Sequence, residues 1–319
     1  DRMTKIATAT PKGSSPLWLD FIDQITQGDR EYAEYLQRFA GYCLTGSTQE
    51  HALFFLYGTG ANGKSVFVNT IFTLLGDYAA NAPMDTFMET RGDRHPTDLA
   101  GLRGSRFVGA TETEQGRRWN ESKIKEITGG DRVSARFMRQ DFFTYVPQFK
   151  LVIAGNHKPA IRNIDEAMRR RLHLIPFTIT VPPEKRDKQL QTKLLAEANG
   201  IFSWGVEGCL AWQREGLKPP KPVLDATDEY FEAEDALGRW LEERCVRHPN
   251  AKSLTAELFS DWKQWAEAAG EFVGSQKRFA DLLLTRGLEK WRNGMGLRGF
   301  QGVGLKEIPK DRFTPYADN

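Results

Sequence analysis

Cysteine is scarce in this 319-residue chain: Cys43, Cys209 and Cys245 stand far apart, with no CxxC pair. That excludes a zinc knuckle and a disulfide framework, and it points to a reducing, cytoplasmic compartment. Long apolar runs are missing too. No stretch approaches the roughly 20 residues that a bilayer span needs, and a mean hydropathy of -0.52 agrees, so no membrane partner is expected. Net charge is almost absent, 44 Lys and Arg against 42 Asp and Glu leaving +2, so nucleic-acid binding cannot be argued from overall charge. Internal repeats and low-complexity tracts are lacking, which sets aside solenoid and fibrous classes. The chain opens on Asp1 with no basic-then-apolar leader behind it, and it reads as a piece of a longer protein.

What is present fits an ordinary globular protein of about two domains: apolar residues make up 40% and charged residues 27%. Charge is unevenly placed. Six acids and no base lie between Asp225 and Asp235, whereas Lys277 to Arg312 holds nine bases against four acids. Residues 1–15 are polar and read as a disordered leader. Leu17, Trp18, Phe21, Ile22 and Ile25, then Tyr35, Leu36, Phe39, Ala40 and Cys43, recur at helical spacing, with Asp29 placed to cap the second run. From Ala52 the texture becomes short apolar runs between glycines and helical stretches: Ala52–Tyr57, Arg106–Thr111, Phe149–Ala154 and His173–Phe177. That alternation predicts an α/β sheet domain. A long helix is expected over Gln189–Glu215, a stiff linker at Lys218–Pro222, and three amphipathic helices near 237–245, 255–269 and 275–288.

The strongest motif is Gly58-Thr-Gly60-Ala-Asn62-Gly63-Lys64-Ser65, which matches GxxxxGK[ST] between an apolar strand and a helix predicted over Lys64–Leu75. Glycines let the backbone fold into a nest of amides around phosphates, and the helix N-terminus adds a favourable dipole. Lys64 is expected at the β and γ phosphates of ATP and Ser65 at Mg²⁺. An acidic partner is expected at the end of a neighbouring strand. Glu112 and Glu114 after Arg106–Thr111 supply it, with Glu112 read as the Mg²⁺ ligand and Glu114 as the water activator, although the reverse, or Glu112 in both roles, fits the same spacing. Asn156 ends another apolar strand, where a neutral amide can orient the attacking water or sense the γ phosphate; such an Asn is also a common turn residue. Arg169-Arg170-Arg171 follow on a helix, where adjacent side chains diverge, so one or two at most can serve a single site.

Together these elements resemble the superfamily 3 helicases, AAA+ proteins of viruses, phages and plasmids, and in particular the helicase part of phage and plasmid primase-helicases. The resemblance rests on GTGANGKS, HPTDLAGLRGSRFVGATETE, KEITGGDRVSARFMRQDFFTYVPQFKLVIAGNHKP and DEAMRRRLHLIPF, dense over residues 50–180. It implies an ATP-driven ring, commonly a hexamer, that translocates along single-stranded DNA, with Asn156 as sensor and Arg170 or Arg171 as arginine finger. The acidic motif departs from the family pattern by lacking its Asp. The family's primase portion has no counterpart here, so a primase domain or protein is an expected partner.

Val133 to Val146 has two β-prone halves around a polar tip; in such helicases a hairpin of this kind projects into the ring channel, which makes Arg136, Phe137 and Arg139 the DNA-binding candidates. The tail, three helices followed by a hairpin at Trp291–Ile308 with five glycines, suggests a winged-helix module in which Lys277, Arg278 and Arg298 meet phosphates, with Arg286, Lys290 and Arg292 as further candidates; protein docking is the other use of such modules. The expected architecture is an α/β AAA+ P-loop ATPase core with an N-terminal helical domain and a C-terminal winged-helix-like domain: leader 1–15, helical collar 16–48, helicase core 49–181, helical extension and linker 182–235, winged-helix-like domain 236–319. The expected function is a replicative DNA helicase. An ATP-switched DNA-binding or origin-loading protein is the alternative.

Overall fold

The computed structural model describes residues 2–4, 13–89, 97–111, 117–161, 165–292 and 296–306. The chain divides into two compact units, Asp1–Phe231 and Glu232–Asn319. In chain order the first unit contains helices α1 (Pro16–Thr26) and α2 (Arg30–Cys43), strand β1 (Leu53–Tyr57), α3 (Lys64–Leu75), β2 (Ala79–Asn81), α4 (Thr97–Ala100), β3 (Phe107–Thr111) and α5 (Glu121–Thr128). The hairpin β4 (Val133–Ala135) and β5 (Phe143–Tyr145) follows, then β6 (Lys150–Gly155), α6 (Glu166–Arg169), β7 (Leu172–Pro176), α7 (Leu190–Ala196), α8 (Ala198–Glu215) and α9 (Lys221–Glu234), which runs three residues past the boundary between the units.

Five strands form a parallel sheet in the order β2-β3-β6-β1-β7. β1 reads Leu-Phe-Phe-Leu-Tyr because both faces of a parallel sheet are covered by helices. Phe54 and Leu56 join α1, α2, α3 and α8 in one apolar cluster, while Leu53 and Phe55 join α5 and α9 in another. The strand order revises one expectation. The strand that leads to Glu112 is not beside β1: β6, the strand that ends at Gly155 and Asn156, lies between them. The neutral amide strand is therefore the direct neighbour of the phosphate loop.

Helices α1 and α2 share a single core with the sheet: Trp18, Phe21, Tyr35 and Phe39 lie in the same cluster as Phe54, Phe67 and Ile175. Asp29 caps α2 as expected, accepting from Tyr32 N at 3.0 Å. The cap of α1 comes from far along the chain, since the Glu197 carboxylate accepts from Leu17 N at 3.1 Å and Trp18 N at 3.0 Å. That residue is also where the helix expected over 189–215 breaks into α7 and α8, so a break with no glycine or proline is stabilised by the two amides it satisfies. The described ends of the expected leader are placed rather than loose. Asp77 N donates to Met3 O at 3.0 Å, and a side chain at Gly13 would meet the backbone of Gly200 at 2.7 Å.

The second unit contains α10 (Ala236–Arg244), β8 (Cys245–Leu254), α11 (Thr255–Ala268), α12 (Gln276–Thr285), β9 (Glu289–Arg292) and β10 (Arg298–Leu305). Its antiparallel sheet runs β8-β10-β9, so the glycine-rich tail pairs with a strand, β8, that the exposed polar sequence of Cys245–Leu254 does not announce. Trp240, Leu258, Trp262, Phe279 and Phe300 form a core of its own. Ser275 caps α12 through Arg278 N.

Candidate nucleotide site and nucleic-acid surfaces

Between β1 and α3 the backbone takes four positive φ angles, at Gly58 (157°), Gly60 (103°), Ala61 (51°) and Gly63 (83°). Such a run is what allows successive amides to line a concave anion site. Two glycines are sterically required. A Cβ on Gly58 would lie 2.1 Å from Phe177 O, and one on Gly63 would lie 2.7 Å from Ile25 Cγ2 and 2.9 Å from Phe21 Cε2. Helix α1 thus presses against the loop from behind. Asn62, buried, donates from Nδ2 to Phe177 O at 2.9 Å and accepts from Lys64 N at 3.2 Å, tying the loop to the end of β7. Gly60 faces open space.

Lys64 is only 6% exposed. Its Nζ donates to Gly155 O at 2.6 Å, Asn156 Oδ1 at 3.0 Å and Gly58 O at 3.2 Å. The motif lysine and the predicted sensor amide, 92 residues apart, are therefore in direct contact, because β6 is paired to β1 in parallel register, Tyr57 opposite Gly155. Ser65 is exposed in the first turn of α3. The preformed loop, the open space at Gly60 and the Lys64 amine held beside the loop fit a polyphosphate. Glu112 and Glu114 lie outside the described residues. Among the described residues no group of three or more His, Cys, Asp or Glu could hold a metal; Ser65 and the two glutamates are the residues that could take up Mg²⁺ together with phosphate oxygens, in the way Mg²⁺ is commonly held.

The three arginines at the end of α6 have three different environments. Arg169 pairs with Asp228 at 2.8 Å and sits over the Phe231 ring. Arg171 is 7% exposed, and its guanidinium donates to Thr128 Oγ1 at 3.2 Å and Ala167 O at 2.7 Å; burial holds its pKa below the usual range. Arg170 is exposed at the C-cap of α6 and has no side-chain bond or ion pair among the described residues.

The β4–β5 hairpin carries an exposed tip. Phe137 (44%), Met138 (69%) and Phe142 (58%) are among the most exposed large apolar residues. The Arg136 guanidinium lies 4.7 Å from the Phe142 ring centroid, and Arg139 turns the tip with φ at 62°. In the second unit Lys277 and Arg298 line one groove, whereas Arg278 is turned to the Phe272 ring at 5.1 Å.

The profile of a family of unknown function, DUF5906, matches residues 56–171, which run from the end of β1 to Arg171. A protein of Acanthamoeba polyphaga mimivirus named "Putative helicase" is 27% identical over 260 residues, 75% of this chain and 27% of its own length. One of Invertebrate iridescent virus 6 with the same name is 30% identical over 251 residues, 68% of this chain and 26% of its own length. An African swine fever virus protein named "Putative primase" is 24% identical over 242 residues, 69% of this chain and 25% of its own length. The chain is thus similar to viral proteins named "Putative helicase" and "Putative primase". It spans about a quarter of the length of these relatives. Among solved structures, the apo C-terminal region of NrS-1 has the same fold, with a TM-score of 0.59 at 11% identity over 95% of this chain and 79% of that one.

Sequence reasoning missed a cluster just after Asn156. Lys158 Nζ lies 4.2 Å from the Tyr57 ring centroid and 5.9 Å from that of Tyr230; burial lowers its pKa, with Glu229 opposing. Tyr230 OH donates to Pro159 O and accepts from Trp119 Nε1 at 3.2 Å, clamping the segment after Asn156 to α9. Two positions could have hinted at it: Tyr57 directly before Gly58, and a base two residues after Asn156. Among the described residues no helix is long and apolar enough to cross a membrane.

Proposed function

We propose that the chain is the motor portion of an ATP-dependent replicative DNA helicase, acting on single-stranded DNA as an oligomeric ring of the hexameric AAA+ type that the sequence resembles, alongside a primase domain or protein. The observation that carries this reading is the three-way anchoring of Lys64 to Gly155, Asn156 and Gly58, supported by a strand order in which the sensor strand separates the phosphate-loop strand from the acidic one.

ATP, when bound, would supply the phosphoanhydride bond whose cleavage drives movement, and Mg²⁺ would offset the charge on its phosphate oxygens. The loop 58–63 binds phosphate through its amides, and Lys64 neutralises charge that develops on the transferred group. Asn156, already within 3.0 Å of the lysine, orients the attacking water without adding negative charge. Glu112 and Glu114 divide metal binding and proton acceptance. Arg170, exposed and uncommitted, is the residue that can reach a neighbouring subunit's site; Arg171 is occupied within its own chain. Arg136, Phe137 and Arg139 grip the DNA strand from the hairpin tip. The second unit, with its order helix, strand, helix, helix, strand, strand, is a winged-helix-like domain that adds nucleic-acid contacts through Lys277 and Arg298.

The test is ATP turnover with and without single-stranded DNA, measured together with particle mass. A motor is stimulated by DNA and is oligomeric. Slow turnover indifferent to DNA, in particles that still bind it, would replace the motor with an ATP-operated DNA-binding switch.

A further inference from the structure

The sheet carries the sensor strand only as far as Gly155, which ends β6 opposite Tyr57. Asn156 and His157, the next two residues, are exposed and belong to no helix or strand. Yet Asn156 Oδ1 stands 3.0 Å from Lys64 Nζ, a placement that orienting a water beside the lysine would require. A side chain just past a strand end is placed only as well as the backbone on its far side is held.

That backbone, Lys158 to Ile161, is held at three points. Lys158 Nζ lies over the ring of Tyr57, the residue before the phosphate loop. Ala160 N donates to Arg117 O at 2.9 Å, and Ala160 O accepts from Trp119 N at 3.1 Å. Between these two points lies Pro159, which is buried and has no N–H, so its carbonyl is the one main-chain group it can pair. Tyr230 OH is the donor to that carbonyl. The same hydroxyl oxygen accepts from Trp119 Nε1 at 3.2 Å, which leaves its single hydrogen for Pro159. Tyr230 is 4% exposed on α9, and α9 has a separate anchor on the sheet, where Thr227 Oγ1 accepts from Leu174 N of β7 at 3.1 Å. The hydroxyl therefore joins a fixed helix to the carbonyl three residues past the sensor amide.

We propose that Tyr230 is a positioning residue for ATP hydrolysis: through Pro159 O, its hydroxyl sets where the Asn156 amide stands beside Lys64. The inference rests on the reading of Asn156 as the residue that orients the attacking water, and it needs neither DNA nor ring assembly.

The experiment compares the full chain with Tyr230→Phe, which removes the hydroxyl and keeps the ring, and with Thr227→Val, which removes the other α9 anchor and leaves Pro159 alone. Each change strips a buried main-chain group of its partner, so both should lower the melting temperature by similar amounts. Rates are taken well below the lower transition. Tyr230→Phe should reduce kcat about tenfold while KM for ATP and affinity for a fluorescent ADP stay within about twofold, because the phosphate loop is untouched. Thr227→Val should keep the wild-type kcat. In the nucleotide-free chain, hydrogen exchange over residues 156–161 should quicken in Tyr230→Phe and not in Thr227→Val. Joined to Asn156→Ala, Tyr230→Phe should add no further loss of turnover, since its effect passes through that amide. A wild-type kcat or unchanged exchange in Tyr230→Phe overturns the inference. So does an equal kcat loss in Thr227→Val, or independent losses in the double variant. A chain that does not hydrolyse ATP, or that does so equally well with Asn156→Ala, removes the sensor reading and this inference together. Turnover that depends on Asn156 and not on Tyr230 removes the inference alone; turnover that depends on Tyr230 and ignores DNA removes the motor and leaves the inference standing.

Discussion

Lys64 and Arg139 are both basic residues on tight turns, and the molecule treats them in opposite ways. Lys64 is buried and held by three acceptors on a loop where Gly58 and Gly63 have no room for side chains. Arg139 is exposed on a hairpin whose neighbours Phe137, Met138 and Phe142 are exposed with it. The first region is built by backbone and strand pairing before any ligand arrives. The second is a set of side chains waiting for a partner. A preformed cradle suits charge stabilisation, where reorganisation would cost rate, and an exposed tip suits the proposed contact with DNA.

The largest effect should follow from breaking the cradle. Lys64→Ala is expected to lower ATP turnover by about 10³-fold or more, with the fold retained in a thermal melt; normal turnover would remove the phosphate-site assignment. Gly58→Ala is expected to destabilise the first unit by about 3 kcal/mol, because the added Cβ meets a carbonyl oxygen that belongs to the backbone. A wild-type melting temperature in that variant would mean the loop is softer than described here.

Arg170 and Arg171 sharpen the contrast at adjacent positions. Arg171→Ala should cost about 2–3 kcal/mol through lost charge-assisted hydrogen bonds to Thr128 and Ala167. Arg170→Ala should leave stability unchanged and depress turnover only in the oligomer, where an arginine supplied in trans can be worth about 10³-fold. Equal destabilisation by both changes would contradict the division of roles.

A pH titration probes the first unit's core. Burial pushes His173 down to about 4, stacked beside Tyr35 and accepting or donating at 2.9 Å to its hydroxyl. Its folded pKa lies below the unfolded value near 6.5, so the unfolded chain binds the extra proton. Stability is therefore full above about pH 6.5 and declines toward pH 4, by at most about 1.4 kcal/mol per pH unit. His173→Gln should flatten that decline in urea melts. The smallest effect is expected at the hairpin: Arg139→Ala should weaken oligothymidine binding a few-fold and reduce the salt slope by about 0.7, with basal ATP turnover intact.

The same contrast explains what could be read from the sequence. The phosphate loop, the strand on either side of it and α3 were readable because steric demands at Gly58 and Gly63 leave a fixed spelling. The strands β1, β3, β6 and β7 were readable because burial on both faces gives nearly continuous apolar runs. The strand β8 was not, since Cys245–Leu254 is largely exposed and owes its form to pairing with β10. The break at Glu197 was hidden because its cause, the open end of α1, lies 180 residues away. Three adjacent arginines could not be told apart by spacing, since their roles depend on Asp228, Thr128 and Ala167 from other elements or turns.

ATP-dependent separation of a forked duplex by the oligomeric chain, run side by side with its Lys64→Ala variant, tests the motor claim most directly. Strand displacement that requires ATP, is lost in Lys64→Ala and is reduced but present in Arg139→Ala is the predicted result. Displacement that survives Lys64→Ala, or DNA-stimulated ATP turnover that never separates the fork, would contradict it.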